Sequence, residues 1–181
     1  MIGIRVHGRG GQGAVTFAHI ISIAATFEGK YGQSSQGLTV ERRGAPSNGF
    51  ARIGDRPITA RGHMSRPDYV VIIDPLVMRS VDVEIGLVEN GLVVANSAEK
   101  LDLKHPCVHL DATSIALDIL KRPITNTVML GAFAAATDIV SVESLDKGVR
   151  FMLGKKVPED VIELNLLAIH RAYDTVKKIR A

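Results

Sequence analysis

Six residues near the amino terminus have the types and the spacing of an anion-binding loop. The segment Gly8-Arg9-Gly10-Gly11-Gln12-Gly13 has the spacing G-x-G-x-x-G and lies between a short apolar segment and a long uncharged one. Glycines there let a backbone approach a pyrophosphate closely, and the first turn of a following helix offers unpaired N–H groups to an anion. The pattern therefore indicates either a phosphate-binding loop or a tight turn that packs a helix against a strand.

The rest of a dinucleotide-binding fingerprint is weak in this chain. An acidic residue about 20 positions further on is expected to end the second strand and hold the ribose hydroxyls. The segment at that place, Tyr31-Gly32-Gln33-Ser34-Ser35, has no acid, and Glu28 falls too early, at the predicted end of a helix. We therefore interpret the loop as structural first, with dinucleotide binding as the alternative.

A second segment combines adjacent cations with a rigid turn. In Glu41-Arg42-Arg43-Gly44-Ala45-Pro46, two arginines are followed by glycine and proline. Guanidinium groups bind carboxylates and phosphates through two parallel hydrogen bonds. The turn is therefore a candidate to bind an acidic partner surface or the anionic part of a substrate, and an exposed solvated loop is the plainer interpretation.

Neither a metal site nor a catalytic residue is predicted. Side chains alternate along a strand, so His105, Cys107 and His109 would share one face and could supply three metal ligands. Pro106 and the surrounding apolar residues favour an ordinary buried strand instead. The chain also lacks an H-E-x-x-H motif, a nucleophile elbow, a P-loop lysine and a thiamine diphosphate motif.

The elements around these segments alternate between strands and helices. We predict strands at residues 2–7, 30–35, 69–73, 92–95 and 108–110, and helices at 14–27, 112–120, 127–140, 144–153 and 158–179. Between them, residues 49–53 are predicted to pair with 58–61 as a hairpin. The economical interpretation is a single α/β domain over residues 1–181 with a Gly/Arg-rich hairpin excursion after the second strand.

Composition excludes several functional classes. The 181 residues are 46% hydrophobic and 23% charged, with a net charge of +3, which fits a packed domain rather than a disordered chain. One cysteine allows no internal disulfide and no iron–sulfur cluster held by this chain alone, since such a cluster needs about four thiolates. Aromatic residues are 4% of the chain, which disfavours a nucleic-acid partner, and no apolar run is long enough for a membrane partner. We therefore expect a cytoplasmic domain.

Several motifs together resemble one known family. The glycine segment, Glu28-Gly29-Lys30-Tyr31 and the segment Glu41 to Pro46 occur in the order and spacing of the gamma subunit of the 2-oxoacid:ferredoxin oxidoreductases. The similarity continues through residues 53–58, 126–134 and 163–165, and so covers essentially the whole chain. The pyruvate type, also called pyruvate synthase, is the closest fit.

The resemblance implies a Rossmann-like α/β domain with a mostly parallel sheet, in a subunit that is inactive alone. Complexes of this family convert a 2-oxoacid and coenzyme A into acyl-CoA, carbon dioxide and reduced ferredoxin, or run the reverse reaction. Thiamine diphosphate is then held by the alpha and beta subunits, and iron–sulfur clusters lie mainly in a delta subunit. This chain would bind no cofactor by itself and would work within a hetero-oligomer.

The resemblance also implies a location for the two candidate segments. The glycine loop (Gly8, Gly10, Gly11, Gln12 and Gly13) and the residues Glu41, Arg42, Arg43 and Gly44 would lie at or near the interface with the partner subunits, close to coenzyme A. The arginine pair would contact either coenzyme A phosphates or a partner carboxylate. Residues 36–40 replace an aromatic-Gly-Pro-like step of the family. Pyruvate is therefore favoured, with a branched-chain, aryl or other 2-oxoacid as the alternative.

Overall fold

The computed structural model describes residues 1–37, 44–60 and 64–180. Within these ranges it contains a six-stranded sheet in the order β2-β3-β1-β4-β5-β6, five α-helices and one 3₁₀ helix, Pro75–Arg79. The strands are Ile2–Arg9 (β1), Tyr31–Gln36 (β2), Pro46–Gly54 (β3), Tyr69–Ile72 (β4), Leu92–Asn96 (β5) and Cys107–Leu110 (β6). The helices are Ala14–Phe27 (α1), Ala112–Leu120 (α2), Thr125–Thr137 (α3), Val142–Leu153 (α4) and Glu159–Arg180 (α5).

The sheet is mostly parallel, as predicted, and only β3 runs against the other strands. Strands β1, β4, β5 and β6 pair in parallel, whereas β3 pairs antiparallel with both β1 and β2. Helix α1 connects β1 to β2, which lies two positions away in the sheet. Strand β3 then runs back between these two strands and pairs with both. The strand order consequently reverses between β1 and β4, whose carboxyl ends lie at the same edge of the sheet.

The predicted hairpin between residues 49–53 and 58–61 is wrong. Residues 49–53 belong to β3, whose two edges are occupied by β1 and β2, so no edge remains for a further strand. Residues 58–60 form no strand, and residue 61 lies outside the described ranges. The hairpin joins β2 to β3 instead. Gly49 permits this arrangement, because a Cβ there would lie 2.3 Å from the Ala14 carbonyl oxygen at the start of α1.

The five helices all contribute to one apolar core on one face of the sheet. The uncharged helices α1 and α3 are both buried, and Phe133 of α3 makes edge-to-face contacts with Phe17 and Tyr69. Helix α3 touches α5 closely at Gly131, where a Cβ would lie 2.0 Å from the Ile169 carbonyl oxygen. A smaller apolar cluster, built on residues of β4 and β5, covers part of the other face. Among the described helices, none is both long and apolar enough to cross a membrane.

Candidate functional site

The glycine loop lies at the carboxyl edge of the sheet, where the strand order reverses. Open α/β sheets bind ligands in the crevice at such a switch point. Strand β1 continues two residues beyond the predicted end, to Arg9, because Gly8 and Arg9 still pair with Ser47 and Pro46 of β3. Gly8 is thus a strand residue, and the turn itself is made by residues 10–13.

Two glycines of the turn have backbone angles that favour glycine. Gly11 has φ +92° and Gly13 has φ +82°, both in the left-handed region. Gly13 is the N-cap of α1, and a Cβ on it would lie 2.4 Å from the Nδ2 atom of Asn126. The glycine therefore allows the amide of Asn126, in the first turn of α3, to lie directly against the start of α1.

The first turns of α1 and α3 are uncapped by side chains. Neither helix has a side-chain cap or an acidic residue in its first turn, whereas Asp111 caps α2 and Ser141 caps α4. Asn126 is 7% exposed, and its amide group forms no hydrogen bond with any described residue. Two positive helix ends and the unpartnered amide of a largely buried residue consequently meet beside Gly13.

A ring of hydrogen bonds joins the glycine loop to the end of β4. The backbone N–H of Arg9 donates to Gln12 Oε1 (2.6 Å), and Gln12 Nε2 donates to Asp74 Oδ2 (2.7 Å). The guanidinium of Arg9 donates to the same carboxylate oxygen from Nε (2.7 Å) and lies 2.7 Å from it through Nη2. Asp74 also caps the 3₁₀ helix, since its Oδ1 accepts from the N–H of Leu76 (2.9 Å).

These contacts keep Asp74 ionised. Burial alone would raise the pKa of its carboxyl, but hydrogen bonds from Gln12, the Leu76 N–H and Arg9, together with the charge of Arg9, lower the pKa below its ordinary value. The carboxylate therefore remains a strong acceptor at neutral pH. Arg9 is in turn an ion-paired cation rather than a free one.

A polar cleft of about 490 Å³ opens beside this ring, along the carboxyl ends of β1, β4, β5 and β6. Its lining includes Arg9 and Gln12 on one side and Asn96 and Thr125 on the other. Asn96 is itself held in place, because its Nδ2 donates to the Ile73 carbonyl (2.9 Å) and to Thr113 Oγ1 (3.0 Å). The arrangement suits binding of a polar group rather than an apolar one.

The structure brings the ends of the two candidate segments together. The Gly10 N–H donates to the Ala45 carbonyl (2.8 Å), and the Gly44 N–H donates to the Gly10 carbonyl (3.2 Å). Gly44, from the arginine segment, is therefore a direct neighbour of the glycine loop. Glu41, Arg42 and Arg43 lie outside the described residues.

Comparisons with known proteins agree with the sequence resemblance. The family model of pyruvate ferredoxin/flavodoxin oxidoreductase matches residues 3–175. The chain is 47% identical to the pyruvate synthase subunit PorC of Methanothermobacter thermautotrophicus, over 99% of this chain and 98% of that protein. The chain belongs to the pyruvate ferredoxin/flavodoxin oxidoreductase family.

Two further relatives define the type of subunit. The chain is 49% identical to the pyruvate/ketoisovalerate oxidoreductases common subunit gamma of Thermococcus litoralis, over 86% of this chain and 91% of that protein. The crystal structure of the pyruvate oxidoreductase subunit PORC of Thermotoga maritima superposes with a TM-score of 0.82 at 36% identity, covering 96% of this chain and 95% of that one. The gamma-subunit prediction is confirmed, and the chain is one subunit of a 2-oxoacid:ferredoxin oxidoreductase.

Within this family fold, the dinucleotide fingerprint is incomplete. The fingerprint's ribose-binding acid ends the strand next to β1. Here that place is taken by β3, which begins, rather than ends, beside the glycine loop. Glu28, the acid closest to the expected position in sequence, lies at the far end of α1 and bonds to Lys30 and Ser141.

The three residues weighed as metal ligands each have another environment in this gamma-type subunit. Cys107 packs against the smaller apolar cluster, and burial raises the pKa of its thiol to about 11. His105 Nδ1 lies 2.7 Å from Glu84 Oε1, and His109 Nδ1 lies 3.3 Å from the Ser97 carbonyl oxygen. Over residues 1–37, 44–60 and 64–180, no group of three or more His, Cys, Asp or Glu residues is arranged to hold a metal ion.

Sequence reasoning did not single out Arg9, Asp74 or Asn126 at this site. Asp74 lies two residues after the end of β4, and a polar residue just beyond a buried strand was a usable signal. It could not be assigned to the glycine loop until the order of the strands was known. Asn126 lies within the segment that carries the family resemblance, but its position against Gly13 depends on how α3 packs on α1.

Proposed function

We propose that this chain is the gamma subunit of a cytoplasmic complex that converts pyruvate and coenzyme A into acetyl-CoA, carbon dioxide and reduced ferredoxin, or runs the reverse reaction. The names of the relatives support pyruvate as substrate. The Thermococcus litoralis relative is named as common to pyruvate and ketoisovalerate oxidoreductases. That name supports placing the choice of 2-oxoacid in other subunits.

The redox chemistry belongs, in this proposal, to the partner subunits. Thiamine diphosphate is held by the alpha and beta subunits, iron–sulfur clusters lie in the delta subunit, and ferredoxin carries the electrons away. The gamma chain acts as one domain over residues 1–181 and supplies a docking surface and an anion site for coenzyme A.

The anion site is proposed at the glycine loop, and one observation carries it. The first turns of α1 and α3 meet at Gly13 and Asn126 without side-chain caps. Backbone N–H groups at two helix ends, and the amide of Asn126, are donors that match the phosphate oxygens of coenzyme A. Binding there would fix the nucleotide end of coenzyme A and leave its thiol end free to reach a partner's active site.

The arginine segment is proposed to extend the same site. Gly44 bonds to Gly10, so the chain that carries Glu41, Arg42 and Arg43 enters β3 beside the glycine loop. Guanidinium groups on that segment would bind either further phosphates of coenzyme A or a carboxylate of a partner subunit. Both roles belong to the surface that faces the partners.

A single added charge tests the coenzyme A site. In the purified complex, Asn126→Asp places a carboxylate against the start of α1 and should raise the KM for coenzyme A about tenfold. The KM for the 2-oxoacid should stay unchanged. The matched control is Asn90→Asp, the same change on an exposed turn near the amino edge of the sheet, which should move neither constant. An unchanged KM for coenzyme A in Asn126→Asp would contradict the site.

The subunit assignment has its own test. Complex purified through a tagged copy of this chain should contain a thiamine-binding chain and a cysteine-rich chain, absorb in the visible range, and turn over pyruvate faster than branched-chain or aryl 2-oxoacids. The isolated chain should be colourless and inactive. Turnover by the isolated chain, or faster turnover of another 2-oxoacid by the complex, would contradict the corresponding part of the proposal.

A further inference from the structure

Among the residues that the structure describes outside the glycine loop, Asp74 makes the most side-chain hydrogen bonds with that loop. Its Oδ2 accepts three hydrogen-bonding contacts, from Arg9 Nε, Arg9 Nη2 and Gln12 Nε2, each at 2.7 Å. Its Oδ1 accepts from the backbone N–H of Leu76. One oxygen thus anchors the carboxylate to the segment after β4, and the other holds the loop.

The loop needs such an anchor because of its composition. Four of its six residues are glycine, and glycine loses more conformational freedom on ordering than any other residue. Apart from its chain neighbours, no described residue has an atom within 4 Å of the Cβ position at Gly11, so packing against the described residues does not hold the centre of the turn. The contacts that fix residues 9–12 on the side of β4 are the ring through Gln12 and Arg9 to Asp74.

The anchor itself is rigid. Asp74 follows β4, which pairs in parallel with β1 over residues 4–7, and the Ile73 N–H donates to the His7 carbonyl (2.8 Å). The carboxylate is therefore fixed relative to the strand from which the loop departs. Residues that hold a binding group through hydrogen bonds commonly decide the precision of a site.

We infer that Asp74 is a positioning residue for coenzyme A binding: through Gln12 and Arg9 it fixes the glycine loop in the conformation that receives the phosphate. This inference rests on the proposed function, since it concerns the same loop. Asp74 makes no contact with the ligand and takes no part in bond making. Its loss should weaken coenzyme A binding and leave the turnover of bound substrates unaffected.

The test compares two identical substitutions on the same pair of strands. Asp74→Asn acts at the carboxyl edge, whereas Asp68→Asn acts at the amino edge, where Asp68 Oδ2 accepts from the Gly3 N–H (2.6 Å). Both remove one carboxylate that ties β1 to the chain around β4. In the purified complex, Asp74→Asn should raise the KM for coenzyme A about tenfold, because hydrogen bonds to a charged group are lost. The kcat should stay near that of the wild type.

Asp68→Asn should lower the thermal midpoint of the complex without changing the KM for coenzyme A. Equal effects of the two substitutions on that KM, or no effect of Asp74→Asn, would overturn the inference. If the Asp74→Asn chain does not assemble into the complex, the Gln12→Met variant tests the inference instead. It breaks the ring at a half-exposed loop residue and leaves the cap on Leu76 intact, so it too should raise the KM for coenzyme A.

Failure of the inference is distinguishable from failure of the proposed site. If Asn126→Asp raises the KM for coenzyme A and both ring variants leave it unchanged, the site stands and the positioning role of Asp74 is wrong. If Asn126→Asp has no effect either, the proposed coenzyme A site is wrong, and the inference falls with it.

Discussion

At the carboxyl edge of the sheet, the carboxylate of Asp74 accepts hydrogen bonds from Arg9 and Gln12. At the amino edge, the carboxylate of Glu28 accepts hydrogen bonds from Lys30 and Ser141. The two carboxylates lie near opposite ends of helix α1. Lys30 Nζ donates to Glu28 Oε2 (2.8 Å) and to the Ile139 carbonyl (2.6 Å), while the Ser141 N–H donates to Glu28 Oε1 (2.6 Å). Each acid thus joins α1 or its preceding loop to a distant segment of the chain.

The two carboxylates differ in the segments of the chain that supply their hydrogen-bond donors. The donors to Glu28 fasten the end of α1 to the start of α4, and Gly29 closes the helix there. Most donors to Asp74 are side chains of a glycine-rich turn beside two uncapped helix ends. The same chemistry therefore stabilises packing at one end of α1, and we propose that it shapes a binding site at the other.

The largest effect is expected at Gly13, where the proposed site and the packing coincide. Gly13→Ala should lower the free energy of unfolding by about 3 kcal/mol, because a left-handed backbone is strained for alanine and its Cβ would meet Asn126. It should also raise the KM for coenzyme A in the assembled complex. Urea unfolding of the chain and steady-state kinetics of the complex measure the two effects.

Gly11→Ala is the matched control for that substitution. It imposes a similar backbone cost, with φ +92°, but its Cβ would meet no atom of a described residue within 4 Å, apart from its chain neighbours. The expected loss is about 1 kcal/mol. If the two substitutions destabilise the chain equally, the contact between Gly13 and Asn126 has no steric role.

A smaller effect, on stability alone, is expected at the amino edge. Burial would raise the pKa of Glu28, but hydrogen bonds from Lys30, Ser141 and Ser144 lower it to about 2 from an ordinary value of 4.5. A lowered carboxyl pKa stabilises the folded state above pH 4.5, and this stabilisation is lost as the pH falls toward 2. Glu28→Gln should therefore destabilise the chain by about 1 kcal/mol at pH 7.

The destabilisation caused by Glu28→Gln should become smaller as the pH falls below 4.5. Urea unfolding midpoints measured at a series of pH values follow this change. The KM for coenzyme A of the complex should not change. A raised KM for coenzyme A in Glu28→Gln would contradict the assignment of packing to the amino edge and of binding to the carboxyl edge of the sheet.

A further effect, on the pH dependence of stability, is expected from His7 in β1. His7 is 1% exposed, and burial, with the charge of Arg5, lowers its pKa to about 3 from 6.5. Between pH 6.5 and about 3, His7 binds a proton in the unfolded chain but not in the folded chain. The free energy of unfolding therefore decreases as the pH falls through this range. His7→Gln keeps an acceptor for Arg5 Nε, which donates to His7 Nε2 (3.0 Å), and removes the titration.

Stability of His7→Gln between pH 6.5 and 4.5 should accordingly vary less with pH than that of the wild type, as measured by urea midpoints. This window lies above the titration of Glu28, so the two contributions separate. An unchanged slope would mean that His7 is not held neutral by the fold.

Local signals in the sequence predicted most of the elements. The uncharged run Ala14–Phe27 is α1 with the predicted bounds, because a buried helix is apolar on nearly all faces. Ala112–Leu120 is α2, also with the predicted bounds. The β2–β3 hairpin was missed, because residues 49–53 were paired with residues 58–61, which follow in the chain, rather than with β2 and β1. The close contact of Gly49 with α1 gave no signal in the sequence. Close contacts across the sheet leave no local pattern.

What the sequence by itself determined is the family, the glycine loop, the buried helices and the mixed α/β class, since each depends on residues close together in the chain. Only the tertiary structure decided that β3 lies beside β1, that Asp74 closes a ring with Arg9 and Gln12, and that Asn126 lies against Gly13. The contacts at Asp74 and Asn126 join residues about 60 to 110 positions apart in sequence, and all of these contacts depend on strand order and helix packing. Sequence motifs specify neither the strand order nor the helix packing, because both depend on how the whole chain buries its apolar surface.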